Sequence, residues 1–464
     1  MKGEVFLHSY PKTKLVKRVA LVFPERYEIG MASLGFQGVY HLLQSYPFLQ
    51  VERFFLSENR PLSVESGRPL DEFDVIMVSI SFETDILALL RMLRLSGIPL
   101  LRRNRPLLPI VVGGIGCSLL AGYFKEIADV LVTTDGEFAL PKLVDAMLSG
   151  KETWWEELSS GEGIYKAEDV KTSLLPFVSH PVEDPLHTVI LTENNEFPMR
   201  GLIEVSRSCR YQCAFCLVSH LYGQYQFFSV EKILEVASLY EGRTKKLGLV
   251  AATLTNHPEF EVLIDELNAR GFELSFSAFR IETLSESLLA KIISNEKKTL
   301  VMAPEAASEA KKRLLRKMIP NEVFLNRVRQ AIAVGIKRLK LYFLIGLPDE
   351  TEEDLQEIVR LVEEIALLSR EQARTFGYVP EIIIDINPLV PKPFTALANV
   401  PMDDVGNLKK KIRFLKRRIH GLGRVFVSGE SPRRALLQYQ LSQGLLLLEE
   451  VIHLSEKNGE TELP

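Results

Sequence analysis

Cysteine is scarce in this chain. Four occur among 464 residues, too few for a disulfide framework, and three of them fall within eight positions of one another. Clustered thiols in a long chain point to metal rather than to cross-links. Tryptophan occurs only as Trp154 and Trp155, an adjacent pair whose large area suits it to anchoring a connector by packing. No apolar run is long enough to cross a bilayer. The N-terminal MKGEVFLHSYPKTKLVKRVALVF scatters its charges among apolar residues and has neither the apolar core nor the cleavage site of a signal peptide. A cytoplasmic protein without membrane association is expected. Charge of one sign is missing as well: Lys plus Arg number 56 against 60 Asp plus Glu, a formal net charge of -4. That balance gives no sign of a protein that coats nucleic acid or an anionic membrane. What is present is ordinary globular composition, 46% hydrophobic and 25% charged, with material for more than one core and for two or three domains.

Short β-branched or apolar runs at 19–23, 75–80, 110–112 and 130–133 alternate with helix-like stretches at 36–46, 85–95 and 138–148. Such alternation argues for βαβ units and a parallel sheet, so residues 1–150 are read as a doubly wound, Rossmann-like domain. Residues 151–197, broken by Gly161, Gly163, Pro176, Pro181 and Pro185, read as a linker. A second alternation fills residues 198–395, with strands at 202–206, 247–251, 274–278, 300–303, 339–345 and 382–387. Helical patterns lie between them, and in one, at 352–369, Leu355, Ile358, Val359, Val362, Ile365 and Ala366 form a single apolar face. Six β/α repeats are two short of a closed eight-fold barrel, so a partial (β/α)6 TIM-like barrel is expected, with reactive groups at the C-terminal ends of its strands. Residues 396–464 read as a mostly helical extension with a stripe of Leu408, Ile412, Leu415 and Ile419 and a short strand at 424–427.

The chemistry-bearing element is Cys209-Arg-Tyr-Gln-Cys213-Ala-Phe-Cys216, directly after the first strand of the second alternation. Thiolates are the usual ligands of iron–sulfur clusters, and three of them on a four-iron cluster leave one iron open to a substrate or cofactor. His220 extends the pattern to Cys-x3-Cys-x2-Cys-x3-His, a set that also suits structural zinc.

The Cys-x3-Cys-x2-Cys spacing with an aromatic before the last Cys resembles the signature of the radical S-adenosylmethionine (SAM) superfamily. The resemblance implies that Cys209, Cys213 and Cys216 hold a 4Fe–4S cluster whose open iron chelates the methionyl amine and carboxylate of SAM. An electron into the cluster then breaks the sulfonium C–S bond and releases a 5′-deoxyadenosyl radical. Phe215 would flank the adenine. Ala303-Pro304-Glu305-Ala306-Ala307-Ser308 resembles the fourth-strand element near the ribose and methionyl group, which places Glu305 and Ser308 at the cofactor, although relatives carry Gly where Ala307 stands. Gly346-Leu347-Pro348 resembles the fifth-strand element beside the adenine, and Arg280, after the third strand, is the implied carboxylate contact. The Gly-Gly-Glu element expected after the second strand is replaced by residues 253–256.

The first domain resembles the cobalamin-binding-like domain that precedes the barrel in some bacterial members. Its first strand–loop–helix resembles residues 23–35. Gly113 and Gly114, with Asp135-Gly136-Glu137, resemble the paired-glycine strand end and the later acidic turn that let backbone approach a nucleotide tail. No His lies between Phe23 and Gly38, and His41 falls within the helix. Either cobalamin binds here without a protein imidazole, or the domain serves as a packing partner or lid. Cys117 is read as a small loop residue. The expected function is that of an oxygen-sensitive enzyme that cleaves SAM reductively and acts on a substrate the sequence does not name. With cobalamin bound, methyl transfer to an unactivated carbon or phosphorus is the leading outcome; without it, a rearrangement or another hydrogen-abstraction reaction is open. A flavodoxin- or ferredoxin-type electron donor is implied. The rivals are a non-catalytic iron–sulfur or cobalamin sensor and an RNA-modifying enzyme, the latter cued by the basic run at 409–418, which also reads as the solvated face of an amphipathic helix.

Overall fold

The computed structural model describes residues 3–10, 17–105, 107–295 and 299–456. The first half contains β1 (Glu4–Phe6), β2 (Lys17–Phe23), β3 (Leu49–Phe55), β4 (Val75–Ser79), β5 (Ile110–Gly113), β6 (Val130–Val132) and β7 (Ile164–Lys166). β3-β2-β4-β5-β6 pair in parallel, and β7 closes the far edge antiparallel. Counted from β2, the parallel order is 2-1-3-4-5. Such doubly wound sheets open a crevice beyond the strand C-termini where the order reverses, here between β2 and β4. The strands are β-branched runs buried on both faces, as a covered parallel sheet requires. Val19, Leu21 and Phe23 pack against the helices Leu34–Gln44 and Gly136–Met147. Ala20 and Val22 face Asp85–Leu95 and Ile115–Ile127 on the other side.

β3 is missing from the strands read in the sequence. Its LQVERFF carries two charges, which hide a core strand from a hydrophobicity pattern. Arg53 is fully buried, with Nη2 2.9 Å from Glu4 Oε2 and Nε 2.6 Å from Glu65 Oε1, so the charge is paired inside the fold. The connector at 151–197 carries structure of its own: β7 extends the first sheet, Trp154 is buried in that domain's core, and β8 (Ile190–Thr192) pairs antiparallel with β1.

The second half contains β9 (Gly201–Glu204), β10 (Ser206–Arg207), β11 (Gln226–Phe227), β12 (Lys246–Val250), β13 (Glu273–Phe276), β14 (Thr299–Glu305), β15 (Arg338–Ile345), β16 (Glu381–Pro388) and β17 (Val425–Ser428). Two parallel arcs, β9-β12-β13 and β14-β15-β16-β17, enclose one shared core. β17, read as part of the C-terminal extension, pairs in parallel register with β16 and adds a seventh strand to the barrel wall. The apolar face of the helix Glu352–Phe376 is buried as the spacing predicts, Leu355, Ile358, Val359, Val362, Ile365 and Ala366 each being no more than 4% exposed.

The two halves close each other reciprocally. Leu7, near the N-terminus, is buried in the core of the second half, and its carbonyl accepts a 3.0 Å hydrogen bond from Arg243 Nη1. Leu437, Leu441 and Val451, near the other end, are buried in the core of the first half, where Tyr123 OH donates to the Leu446 carbonyl at 2.9 Å. No helix among the described residues is long and apolar enough to cross a membrane.

Candidate functional site

The cysteine loop springs from the C-terminal end of β9 and is pinched at its base by the antiparallel pair β10 and β11, so the three thiols project from a closed hairpin. Ser208, just before Cys209, holds φ at 65° and donates its hydroxyl to the Gly223 carbonyl at 2.9 Å. A non-glycine residue in that region costs energy and marks a constrained turn. Ala214 N donates to the Leu315 carbonyl at 2.9 Å, tying the loop to the segment after β14.

All three cysteines are free and partly accessible. Cys209 Sγ lies 3.7 Å from Thr253 Oγ1 after β12, and Cys213 Sγ lies 3.6 Å from Arg280 Nη1 after β13. Burial pushes the Cys213 thiol up, and the charges of Lys317 and Arg280 draw it back. Burial likewise raises Cys216, against hydrogen bonds from the backbone N–H groups of Val218 and Ser219. Burial prevails at both thiols, so the free side chains are held as thiols, with two cations and two N–H donors beside them that partly offset it. Among the described residues, no three His, Cys, Asp or Glu side chains converge on a single ion. His220 Nδ1 instead sits 2.8 Å from the Cys216 carbonyl oxygen, capping its own turn rather than joining the thiols. This donor set, with its three spaced thiols, fits an iron–sulfur cluster better than the zinc alternative.

Of the other residues singled out in the sequence, the structure brings several to this spot. Phe215 packs in a small apolar cluster with Ala306 after β14, Leu344 and Leu347 on and after β15, and Leu389 after β16. The Arg280 guanidinium lies 3.9 Å above the Tyr211 ring and pairs with Glu282. Glu305 ends β14 with φ at 64° and reaches Lys317 Nζ at 3.0 Å. Burial raises its carboxyl, and Lys317 and Arg280 oppose the shift. Ser308 is otherwise engaged: its hydroxyl caps the helix Glu309–Leu314 and donates to Asp354 Oδ1 at 2.5 Å. Gly346 has φ at 74°, and a Cβ there would lie 2.7 Å from Leu408 Cδ2, so a turn packed against the helix Val405–Ile419 requires the glycine. In place of the Gly-Gly-Glu element, the 253–256 turn leaves the buried Asn256 Nδ2 without a hydrogen-bond partner.

A second feature lies alongside. A cavity of about 520 Å³ opens at the C-terminal edge of the first sheet. Leu21, Met77 and Val111 of the sheet give it apolar walls, with residues of the helices Leu34–Gln44 and Gly136–Met147. Gly113, Gly114 and Gly136 line it, and Gly35 and Gly38 do so as well. Gly114 has φ at 101°, and a Cβ there would lie 2.5 Å from the Ile80 carbonyl oxygen. Cys117 is fully buried, and burial pushes its thiol up to about 12, in keeping with a packing role. The far wall belongs to the second half: Ser208, Val218 and Tyr222 of the cysteine loop, and Ala251 and Ala252 after β12. The sheet-edge cavity and the cysteine loop therefore share a wall.

Arg207 stands in that wall and binds across it. Nη1 lies 2.9 Å from Asp135 Oδ1, Nη2 2.9 Å from Glu137 Oε1, and Nη2 2.8 Å from Glu204 Oε2. Burial works against its charge, but Glu204 and then Glu137 hold the guanidinium above its ordinary value. Burial raises Asp135, against the N–H of His180 and the charge of Arg207. Sequence reading missed Arg207 because its partners Asp135 and Glu137 lie about seventy positions upstream. The one local signal was an unexplained Arg two residues before Cys209. His41 does not reach this cavity: its Nδ1 lies 2.7 Å from Tyr10 OH, and it joins His8 and His187 around a neighbouring pocket.

Comparisons with known proteins agree with this layout. A family model described as "Radical SAM proteins, N-terminal" matches residues 35–170, and one described as "Radical SAM superfamily" matches 203–362. An uncharacterized protein of Methanocaldococcus jannaschii is 25% identical over 93% of this chain and 89% of its own length. An uncharacterized methyltransferase of Pyrococcus horikoshii is 25% identical, over 51% of this chain and 53% of its own. A tRNA-2-methylthio-N(6)-dimethylallyladenosine synthase of Helicobacter pylori is 26% identical over 36% of this chain. This chain spans only 42% of that synthase. Among solved structures, the cobalamin-dependent SAM radical enzyme OxsB, with aqua-cobalamin and SAM bound, superposes with a TM-score of 0.58 at 16% identity. That alignment covers 91% of this chain and 66% of OxsB, and it shows a shared fold.

Proposed function

The chain belongs to the radical SAM superfamily, an enzyme family that uses a 4Fe–4S cluster and SAM and requires a reductant, and from that premise we propose that it catalyses cobalamin-assisted methyl transfer to an unactivated carbon or phosphorus. The observation that carries the reading is the apolar cavity at the reversal point of the first sheet, which shares a wall with the cysteine loop. Ligands of doubly wound sheets bind in that place, and here they would face the radical-generating side of the barrel.

In this reading Cys209, Cys213 and Cys216 hold the cluster. When bound, the cluster supplies the electron that splits the sulfonium carbon–sulfur bond of SAM, and a corrinoid supplies a methyl carrier. The remaining work falls to the chain's own residues. Phe215, on its apolar pad from three strand ends, offers a face for adenine. Arg280, held over Tyr211 and by Glu282, presents positive charge beside Cys213, where a carboxylate would sit. Glu305 is fixed by Lys317 at the end of β14 and is positioned for the ribose or methionyl group. Ser308 and Gly346 support that surface by fixing a cap and a turn rather than by touching the ligand. Gly113, Gly114 and Gly136 let a nucleotide tail approach the sheet edge. No imidazole lines the cavity among the described residues.

Anaerobic purification tests the reading. We expect a brown protein that contains iron and sulfide, retains added cobalamin and forms 5′-deoxyadenosine from SAM under strong reduction. Replacing all three cysteines by Ala should abolish iron and product while leaving cobalamin retention intact. A colourless, zinc-loaded protein would overturn the cluster assignment. Loss of cobalamin binding with SAM cleavage intact would overturn the methyl-transfer part alone.

A further inference from the structure

The helix Val405–Ile419 buries Leu408, Leu415 and Ile419 in the second core. Its other faces carry Lys409, Lys410, Arg413, Lys416, Arg417 and Arg418, all exposed. Among the described residues, none of these six belongs to an ion pair, and the helix VGNLKKKIRFLKRRI contains no acid. A merely solvated amphipathic face looks different in this same protein: on the helix Glu352–Phe376, Arg360 pairs with both Glu353 and Glu357. Concentrating six unneutralised cations on one helix of a chain with net charge -4 costs self-repulsion, and a polyanion would relieve it.

The placement of the helix ties this surface to the reaction centre. Lys411, the exception on the helix, turns inward with Nζ 2.8 Å from both Glu350 Oε2 and Asp403 Oδ2. Glu350 follows the β15 turn, whose Gly346 packs on Leu408. The start of the helix is thus fastened at the strand C-termini, the end of the barrel where β9 launches the cysteine loop. From there the cations run down the outer wall, with a rise of about 13 Å between Lys409 and Arg418 at 1.5 Å per residue. Lys409, Arg413 and Lys416 flank a groove whose opposite side is Gly429, Glu430 and Ser431, past the end of β17. The next helix, Pro432–Ser442, adds exposed Arg433 and Arg434. Aromatic faces are interleaved: Arg418 lies 5.5 Å above the Phe414 ring, and Phe426 on β17 is 53% exposed.

We propose that this basic wall docks RNA and delivers a nucleotide of it to the barrel mouth, so that the substrate of the radical reaction is an RNA. The substrate assignment rests on the enzymatic reading above; the docking does not. Phosphates suit the unpaired cations, and an unstacked base suits the exposed Phe426. RNA loops present such bases to a buried reaction centre. An anionic membrane fits less well, because interfacial helices set a continuous apolar face beside their cations, and here Leu408, Leu415 and Ile419 are buried and Ile412 and Phe414 pack on the second core, leaving Phe426 as an isolated exposed aromatic.

The test is fluorescence anisotropy on the reconstituted holoenzyme with a labelled RNA stem-loop, from about 50 to about 200 mM salt. Parallel arms use duplex DNA of equal length and vesicles containing phosphatidylglycerol. One variant carries Lys409→Gln, Lys410→Gln, Arg413→Gln, Lys416→Gln, Arg417→Gln and Arg418→Gln; a second carries Arg413→Lys, Arg417→Lys and Arg418→Lys and keeps the charge. The expected result is salt-dependent stem-loop binding by the wild type, at least about 10-fold weaker binding and a shallower salt slope in the neutralised variant, and near wild-type binding in the charge-keeping one. Cleavage of SAM without RNA should be unchanged in both. No stem-loop binding at about 150 mM salt, equal binding by the neutralised variant, or preference for duplex DNA or vesicles would each overturn the proposal. Absence of 5′-deoxyadenosine in every protein would instead count against the enzymatic reading, whatever the RNA result.

Discussion

Arg207 places one guanidinium among three carboxylates, with its own side chain 11% exposed and Asp135 only 4%. Removing one partner of a buried set leaves charge uncompensated, at a cost of about 3–5 kcal/mol. Arg207→Met should therefore lower the unfolding free energy by about that amount in urea titrations, and Arg207→Lys by less, because an ammonium cannot span the fork. A loss below about 1 kcal/mol for the Met variant would show the cluster to be solvated. The contrast with Cys209, Cys213 and Cys216 explains what a sequence discloses at this scale. The thiols lie within one loop, so their relation is written in their spacing. The relation of Arg207 to Asp135 exists only once two domains meet, and nothing local encodes it. Ser308 shows what a motif leaves unsaid: it suggested a ligand contact, and in the fold the hydroxyl accepts from Lys311 N and donates to Asp354.

Among elements, the β/α alternation was legible wherever strands were short β-branched runs. It failed at β3, where Arg53 breaks the pattern, and it placed β17 outside the barrel wall because four residues after a long helix carry no statement about their neighbours. The end of β5 is the element most exposed to test. Gly114 combines φ of 101° with a would-be Cβ 2.5 Å from the Ile80 carbonyl, an oxygen already held by Gly116 N at 3.1 Å. Gly114→Ala should cost about 1–3 kcal/mol in stability and weaken cobalamin retention, read by denaturation and by equilibrium dialysis. Unchanged values in both would mean that the turn can relax and that the cavity lip is not defined by this glycine.

Across the whole molecule, three histidines meet from three parts of the chain: His8 near β1, His41 on the helix Leu34–Gln44, and His187 in the connector. His8 and His187 place their Nε2 atoms 3.1 Å apart, and the His8 and His41 rings are 4.4 Å apart. Burial, then the charges of His8 and His187, push His41 down to about 4. Burial also lowers His8, aided by His187 and Arg243, and lowers His187 against the pull of Asp184. An unfolded imidazole takes its proton near pH 6.5 and the folded His41 only near 4, so stability is full above 6.5 and is lost as the pH falls between those values. The melting temperature should drop between about pH 7 and about pH 5, and His41→Gln should flatten that drop. An unchanged slope in the variant would remove His41 as its source.

Leu7 completes one core and Leu437, Leu441 and Val451 complete the other, each half sealed by residues from the opposite end of the chain. During synthesis the first domain is made early yet lacks part of its interior until residue 451 has been added. The second domain, by contrast, finds its missing piece already waiting. Until the tail is made, the first domain's helices Asp85–Leu95 and Ile115–Ile127 are uncovered on the side where Pro432–Ser442 and Leu448–Leu454 pack.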